Sequence, residues 1–205
     1  MRQMTGKQSI SFAKAVYIEG SAAIVGEKEK DGPLGEYFSH TLSDPMCGQE
    51  SWEEGESELQ LATAKLAMQK ANVRPEQIRM IFAGDLLAQS IASSFGLVDL
   101  NCPLYGLFGA CSTMGEAMIL GAMAAGAGYA DRVLALASSH FASAERQFRF
   151  PLAYGNQRPQ STTWTVTGCG CVMIEGNEKN EGKDGRRAKE NASESLKNAG
   201  QEKLH

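Results

Sequence analysis

Short apolar runs alternate along the chain with longer amphipathic stretches, and each run ends on glycine, small polar residues or a charged turn. The runs have the length of strands in a buried sheet, and the longer stretches have the length of helices. The pattern predicts strands at Ala15–Ile24, Arg79–Ala83, Pro103–Phe108, Arg132–Ala137 and Thr163–Glu175. Strands and helices that alternate with short links are typical of a layered α/β domain with a largely parallel sheet.

The longer stretches predict three helices. Ser51 and Glu54 have the spacing of a capping box, in which two side chains satisfy free backbone N–H groups at a helix start. We expect that helix to run to about Ala71, with an apolar stripe formed by Leu59, Ala62, Leu66 and Ala67. Further helices are predicted at Leu86–Phe95 and Ser112–Ala127, and the latter is apolar on most faces and therefore central.

A change in composition divides the chain into two segments. Residues 177–205 are rich in both basic and acidic side chains and contain no Val, Ile, Phe, Trp or Tyr. Such a segment buries too little apolar surface to offset the entropy that it loses on ordering. We expect one folded domain over residues 1–176 and a charged tail over residues 177–205, which is either disordered or a solvated helix.

Charge and cysteine content narrow the class of protein. The formal net charge of −4 is not that of a chain that grips nucleic acid, so we expect no such partner. The five cysteines are an odd number, and the first residues lack the apolar segment of a secretory signal. Reduced thiols in a cytoplasmic protein are therefore the expected state.

Cys169 and Cys171 form a C-x-C pair that invites a metal site. Tetrahedral zinc, however, needs four ligands, which usually come from two such clusters, and the sequence has no second cluster. Alternating small residues in a β-rich run favour tight strand packing instead. We predict neither a metal nor a cofactor.

The segment Gly109–Thr113 is the first candidate for chemistry. A predicted strand runs into small residues, then into Cys111, and a helix begins at once. The N–H groups and the dipole at a helix N-terminus favour a thiolate, and a strand–turn–helix unit exposes a nucleophile. The alternative is a buried small residue with Ser112 or Thr113 as the helix cap. Composition alone favours this alternative, because free cysteine is among the most buried residue types.

Polar side chains also follow two other predicted strands. Ser139 and His140 come just after the carboxyl end of a strand, where open α/β sheets place their ligand crevice. Arg146 and Arg149 are spaced i, i+3, so on a helix they share a face and can clamp carboxylates. The alternative for this segment is a solvated loop with a capping histidine. Asp85 follows a strand as well, and either orients a ligand or caps the next helix.

Several motifs occur in order along the chain: Lys28–Gly35 (KEKDGPLG), Ala83–Leu87 (AGDLL), Leu107–Thr113 (LFGACST), Ser138–His140 (SSH), Ala144–Arg149 (AERQFR) and Thr165–Gly168 (TVTG). Over about residues 5–176 the chain resembles the stage V sporulation protein AD family of spore-forming Firmicutes. That family has the thiolase fold, a layered α-β-α architecture of two similar halves. The resemblance implies that this chain covers the N-terminal half.

The resemblance also implies a ligand-binding protein of sporulation rather than an enzyme. The family binds dipicolinic acid, free or as its calcium chelate, and assists its uptake into the forespore with membrane proteins of the same operon. A cytoplasmic protein, or one peripheral on the inner spore membrane, is implied. Cys111 matches the position where thiolases and ketoacyl synthases keep the acyl-accepting cysteine. By analogy the ligand pocket is formed by Asp85, Cys111, Ser139, His140, Arg146 and Arg149.

Two alternatives remain open. The first is a thiolase-like acyltransferase with Cys111 as nucleophile, although the family keeps the activating histidine and its companion group in the second half. The second is a non-functional half-domain, from a truncated or frameshifted gene or a split protein. Such a half-domain would expose an apolar face on the helix after Cys111, and a homodimer or aggregation through that face is expected.

Overall fold

The computed structural model describes residues 4–86, 90–148, 159, 161 and 163–176. Its strands are β1 (Met4–Thr5), β2 (Ser9–Ile10), β3 (Val16–Val25), β4 (His40–Thr41), β5 (Met80–Gly84), β6 (Leu104–Gly106), β7 (Arg132–Ser139) and β8 (Gly168–Gly176). Its helices are α1 (Glu27–Lys30), α2 (Trp52–Ala71), α3 (Ile91–Gly96), α4 (Thr113–Gly126) and α5 (Phe141–Phe148). The predicted tail over residues 177–205 lies outside the described residues.

Six of the described strands form one sheet in the order β4-β3-β8-β7-β5-β6. β3 pairs parallel with β4, and β5 pairs parallel with both β6 and β7. β8 pairs antiparallel with both of its neighbours, β3 and β7, and therefore runs against the other five strands. The sheet is mixed, and β8 is the exception to the predicted parallel arrangement. β1 and β2 form a separate antiparallel pair.

Three predicted strands form where the sequence places them. Ala15–Ile24, Arg79–Ala83 and Arg132–Ala137 correspond to β3, β5 and β7 within two residues at each end. The pairing of β3 with β8 contains a register shift between Ile18 and Gly20. Local apolar patterning was sufficient for these strands because each of them has neighbours on both sides in the sheet.

Three other predicted elements are shorter than expected. The run Pro103–Phe108 yields only β6, an edge strand on which Tyr105 is 46% exposed. An edge strand has one neighbour, so its side chains are covered less than those of a central strand. The run Thr163–Glu175 becomes β8 only from Gly168 onward, and helix α3 begins at Ile91 rather than at Leu86.

Helices pack on both faces of the sheet, which gives the predicted α-β-α layers. Side chains of α2 meet one face, in a core formed by Ile24, Leu59, Ala64, Ala67, Met68, Ile81, Leu134, Leu136 and Met173. Side chains of α4 meet the other face, in a core formed by Phe82, Ala117, Ala124, Ala125, Val133, Ala135 and Ile174. Neighbouring residues such as Leu134 and Ala135 belong to different cores because successive side chains of a strand point to opposite faces.

Helix α2 begins with the predicted cap at Ser51, but the Glu54 side chain accepts from the Ser51 hydroxyl and not from a backbone N–H, so only half of the predicted capping box is present. The backbone N–H of Glu54 donates to Ser51 Oγ at 3.2 Å, and the Ser51 hydroxyl donates to Glu54 Oε2 at 3.0 Å. In the predicted stripe Leu59 and Ala67 are fully buried, and the other two members are partly buried against the same core. The helix is therefore fixed at its start by polar contacts and along its length by apolar ones.

Helix α4 contacts the sheet with small side chains and leaves larger ones in solvent. Ile119, Leu120 and Met123 are 54%, 37% and 43% exposed. The apolar face that the sequence placed on this helix is therefore present. Within the part of the chain that the structure describes, no helix combines the length and the apolar character needed to cross a bilayer.

Candidate functional site

The candidate site lies at the edge of the sheet where β3, β5, β6 and β7 all end. Because these strands run in one direction, their carboxyl ends meet at this edge, which is where open α/β sheets bind ligands. Asp85 follows β5, Cys111 lies beyond β6, and Ser139 and His140 lie where β7 ends. The sequence placed these residues at strand ends, and the topology brings those ends to one edge.

Cys111 lies on a tight turn between β6 and α4. The turn is a 3₁₀ segment, Ala110–Ser112, and Ala110 adopts a positive φ of 50°. Ser112 Oγ donates to the Gly109 carbonyl at 2.8 Å, and the Gly109 N–H donates to Thr113 Oγ1 at 3.1 Å. Cys111 is exposed, so the alternative of a buried small residue does not describe this cysteine. The predicted strand–turn–helix unit is present.

The end of β5 packs directly against this turn. The Leu107 N–H donates to the Ala83 carbonyl at 2.8 Å, which joins the two segments. A Cβ atom on Gly84 would overlap the Leu107 carbonyl oxygen and the methyl group of Thr113, so glycine is needed for the close approach. Asp85, the next residue, is thereby held beside the segment that carries Cys111.

Asp85 is buried and oriented towards helix α3. Its Oδ2 atom accepts hydrogen bonds from the backbone N–H and the hydroxyl of Ser93, each at 2.9 Å. A carboxylate that accepts a backbone N–H in the first turn of a helix acts as a cap. The structure therefore supports the capping alternative for Asp85, and a direct contact between Asp85 and a ligand remains a prediction.

Beneath the edge lies a buried polar network that the sequence did not predict. Gln60 Nε2, on α2, donates to the Gly84 carbonyl at 3.3 Å and contacts Ser93 Oγ at 3.1 Å. The same atom donates to Ser138 Oγ at 2.7 Å, so one amide joins the ends of β5 and β7. Gln60 is fully buried, and its Oε1 atom has no hydrogen-bond partner among the described residues.

The network continues to Glu56, one helical turn before Gln60. Ser138 Oγ donates to Glu56 Oε1 at 2.7 Å, and Ser143 Oγ donates to Glu56 Oε2 at 3.1 Å. Glu56 is fully buried, and burial raises the pKa of its carboxyl group to about 7. The negative charge of Asp85 raises this pKa further, while the two serine hydroxyls lower it. Glu56 and Gln60 are spaced i, i+4 on the buried face of α2, and this spacing was the signal in the sequence that could have indicated the network.

His140 is fully buried beside the network. Its Nε2 atom lies 2.8 Å from the Pro45 carbonyl, and its Nδ1 atom accepts from the Ala142 N–H at 3.2 Å. These partners fit the neutral tautomer with a proton on Nε2. Burial lowers the pKa of the imidazole, which favours this neutral form. The ring packs between Trp52 and Phe141, with centroids 5.4 and 5.3 Å away.

The other predicted site residues are Ser139, Arg146 and Arg149, and the structure describes the first two. Ser139 Oγ donates to the Val166 carbonyl at 2.6 Å, which ties the end of β7 to the segment before β8. Arg146 lies on α5, so the segment around it is a helix and not the solvated loop of the alternative. Its guanidinium group forms an ion pair with Glu53 of α2. Arg149 lies outside the described residues. The roles of these side chains in ligand binding stay predictions.

Cys169 and Cys171 are buried within β8 and have the environment of packed strand residues. Burial raises the pKa of Cys169 to about 12 and raises that of Cys171 as well, so both thiols keep their protons. In the described part of the chain, no three His, Cys, Asp or Glu side chains lie close enough together to hold a metal ion. The pair packs against α2 in the core instead.

Comparison with known proteins identifies the family. The model of the family described as "Stage V sporulation protein AD (SpoVAD)" matches residues 6–188, which is most of the chain. The chain belongs to the stage V sporulation protein AD family. It is 41% identical over 172 residues to the stage V sporulation protein AD of Bacillus subtilis (strain 168). That match covers 84% of this chain and 51% of the relative, so the chain spans about half the length of its curated relative.

Solved structures with the same fold are thiolase-like synthases. A 3-oxoacyl-[acyl-carrier-protein] synthase III from Aquifex aeolicus matches with a TM-score of 0.53 and 17% identity, over 80% of this chain and 55% of that one. A fungal type III polyketide synthase matches with a TM-score of 0.56 and 14% identity, over 82% of this chain and 57% of that one. At such identities the likeness establishes the thiolase-like fold of this sporulation family member.

Proposed function

We propose that this chain binds dipicolinic acid, free or as its calcium chelate, and assists its uptake into the forespore. The observation that carries the proposal is the exposed turn of Cys111, which opens α4 at the ligand edge of a sporulation-family chain. The N–H groups at the start of this 14-residue helix favour an anion, and dipicolinate carries two carboxylates. The pocket proposed for it is formed by Asp85, Cys111, Ser139, His140, Arg146 and Arg149.

The positively charged partner that α5 supplies for such a dianion is Arg146. Arg146 is 56% exposed and is paired with Glu53 across the α2–α5 contact. A guanidinium group binds carboxylates through two parallel hydrogen bonds, so a ligand carboxylate competes with Glu53 for Arg146. We expect Glu53→Gln to release Arg146 and strengthen dipicolinate binding, whereas Arg146→Gln weakens it.

The membrane proteins of the same sporulation operon are the proposed protein partners. The proposal places this chain in the cytoplasm or on the face of the inner spore membrane. It rests on the family and on the ligand, because uptake of an anion across a membrane requires a path through membrane proteins.

Calorimetric titration of the full chain with dipicolinate tests the proposal. Benzene-1,3-dicarboxylate, which has the same two carboxylates but no ring nitrogen, is the matched control ligand. Saturable binding of dipicolinate that weakens in Arg146→Gln and in Cys111→Leu supports the proposal. Absence of saturable binding, or binding unchanged by both substitutions, would overturn it for this chain.

An acyltransferase is the second candidate, and the exposed thiol on the turn favours it. The sulfur of Cys111, just before α4, would accept the acyl group of an acyl thioester, with release of the donor thiol. Intact-mass measurement after incubation with acyl-coenzyme A detects the acyl-enzyme. A mass increase that disappears in Cys111→Ser supports this candidate, and an unchanged mass argues against it.

A further inference from the structure

Glu56 lies beneath the edge of the sheet where the proposed pocket is, and it contacts residues next to that pocket. Its two carboxylate oxygens accept hydrogen bonds from Ser138 and Ser143. These serines bracket Ser139 and His140, two residues of the proposed pocket. The carboxyl group is thus the point from which α2 holds the end of β7 and the start of α5.

The hydroxyl of Ser143 has two acceptors within reach. It lies 3.1 Å from Glu56 Oε2 and 3.2 Å from the His140 carbonyl oxygen. A hydroxyl has one proton to donate, so the ionised carboxylate of Glu56 attracts it more strongly. When Glu56 is protonated, its O–H group donates to Ser143 Oγ, and the Ser143 hydroxyl turns to the His140 carbonyl. The His140 carbonyl also accepts the Ala144 N–H at 3.0 Å, so the two protonation states differ in whether this carbonyl accepts a second hydrogen bond, from Ser143.

The charge of Glu56 also matters for an anion at this edge. The partners that the structure gives the carboxylate are hydroxyl groups, which stabilise a charge without cancelling it. Asp85, beyond Gln60 in the same network, carries a second negative charge. An anionic ligand at the edge is repelled by an ionised Glu56 through a medium of low dielectric constant.

The other titratable groups around Glu56 do not provide the same link. Cys169 faces it from β8 as a buried neutral thiol, and the buried imidazole of His140 is neutral as well. Glu53, one turn earlier on α2, is paired with Arg146 of α5. Asp85 is fixed by two hydrogen bonds from Ser93. Gain or loss of the Glu56 proton, in contrast, changes how the backbone at the end of β7 is held.

We propose that Glu56 is a positioning residue that couples anion binding at this edge to uptake of a proton. Binding of the dicarboxylate favours the protonated form of Glu56, which removes the repulsion and directs Ser143 to the His140 carbonyl. By reciprocity, protonation of Glu56 strengthens anion binding. Burial raises the pKa of Glu56 to about 7, which places the transition near neutral pH. This inference rests on the proposed function.

The test uses the full chain and the substitution Glu56→Gln. A glutamine amide offers both a donor and an acceptor, like a protonated carboxyl group, so the variant is fixed in the protonated arrangement. The matched control is Glu175→Gln. Glu175 lies at the opposite end of the sheet, beside Arg132, and burial also raises its pKa to about 7. Circular dichroism of each variant establishes that the fold is retained.

Calorimetry with dipicolinate at pH 6, 7 and 8, in buffers of different ionisation enthalpy, measures both affinity and proton uptake. We expect affinity of the wild-type chain and of Glu175→Gln to fall on the order of tenfold from pH 6 to pH 8, with net proton uptake at pH 7. We expect Glu56→Gln to bind equally at all three pH values without that proton uptake.

Two outcomes separate the inference from the function on which it rests. If Glu56→Gln shows the same pH dependence and proton uptake as the wild-type chain, the coupling is wrong and dipicolinate binding stands. If no variant binds dipicolinate at any pH, the proposed function fails and the coupling fails with it.

Ser143→Ala adds a measurement that needs no ligand, since loss of this hydrogen-bond donor raises the Glu56 pKa. Infrared spectroscopy follows the band of the protonated Glu56 carboxyl group as pH rises. If the midpoint of its loss is no higher in Ser143→Ala than in the wild-type chain, the assigned contact between Ser143 and Glu56 is wrong.

Discussion

Gly20 of β3 lies against Ala71, the last residue of α2, so closely that a Cβ atom on Gly20 would be 2.9 Å from the Ala71 Cβ. The same atom would be 3.1 Å from the Ala67 carbonyl oxygen and from the Ala71 nitrogen. These neighbours are backbone atoms and a methyl group, which cannot turn away. The end of α2 and the bulge of β3 are therefore fitted to each other through the absence of a side chain.

Gly20→Ala is expected to destabilise the fold by about 2 kcal/mol, because inserting a methyl group here forces helix and strand apart. Urea denaturation followed by circular dichroism measures the change. Gly170→Ala in β8 is the control, since a Cβ atom there would meet nothing within 4 Å. Equal destabilisation by the two substitutions would contradict the close approach.

Ser51→Ala is expected to lower the free energy of unfolding by about 1 kcal/mol, through loss of the cap that accepts the Glu54 N–H. The measurement is again urea denaturation. Ser94, which is exposed on α3, provides the control substitution to alanine. If the Ser51 cap does not stabilise the fold, Ser51→Ala and Ser94→Ala will have equal free energies of unfolding.

Cysteine alkylation should discriminate sharply between the exposed and the buried thiols. We expect iodoacetamide to modify Cys111 first, and Cys169 and Cys171 only after unfolding, because burial raises their pKa values and blocks access. Peptide mapping by mass spectrometry at increasing times gives the order. Modification of Cys169 in the folded chain at the rate of Cys111 would be inconsistent with this structure.

The raised pKa of Glu56 predicts how stability depends on pH. A carboxyl group with a pKa of about 7 in the folded chain and about 4.3 when unfolded binds more protons in the folded state between these values. The contribution of Glu56 to stability should therefore fall by about 3 kcal/mol as pH rises from about 4.3 to about 7, and then level off. Glu175 contributes with the same sign.

Glu56→Gln in a Glu175→Gln background isolates the contribution of Glu56. Between pH 7 and pH 5, the difference in urea midpoint between Glu175→Gln and the double variant should grow in favour of Glu175→Gln, because only Glu175→Gln keeps the Glu56 carboxyl. The buried neutral His140 adds a rise of stability with pH below about 6.5 that is the same in both variants. A difference between the two variants that does not change with pH would assign the pH dependence to groups other than Glu56.

The exposed apolar face of α4 predicts self-association of the chain. Ile119→Lys should raise the dissociation constant of a dimer by about tenfold or more, because it places a charge in the centre of the face. Sedimentation equilibrium measures this change. Phe95→Lys, at a 72% exposed position on α3, is the control. A wild-type chain that remains monomeric at high concentration would contradict the prediction of a homodimer.

The elements that the sequence predicted correctly are those with a local cause. The cap at Ser51 depends on a residue three positions away, and the turn at Cys111 depends on the small residues beside it. The end of β7 was located from its apolar run, so Ser139 and His140 were placed on the correct edge. Local pattern and position in the sheet agree at these sites.

The features that the sequence did not predict depend on distant partners. Glu56 contacts Ser138 and Ser143, which are 82 and 87 positions further along the chain. The burial of His140 depends on Pro45 and Trp52, from a segment before α2 and from its first turn. The antiparallel direction of β8 depends on how the chain returns to the sheet after α5, and hydrophobic periodicity does not indicate that. Contacts between remote segments set the chemistry of this edge.

The central position of β8 has a consequence for how the chain acquires its fold during synthesis. β8 pairs with both β3 and β7, yet it comes last among the described strands. A nascent chain that has left the ribosome only as far as β7 carries β3 without the neighbour that joins it to the rest of the sheet. Such long-range pairing slows folding and leaves apolar strand edges open to other chains. Release of residues 168–176 from the ribosome is thus the event that permits the sheet to close.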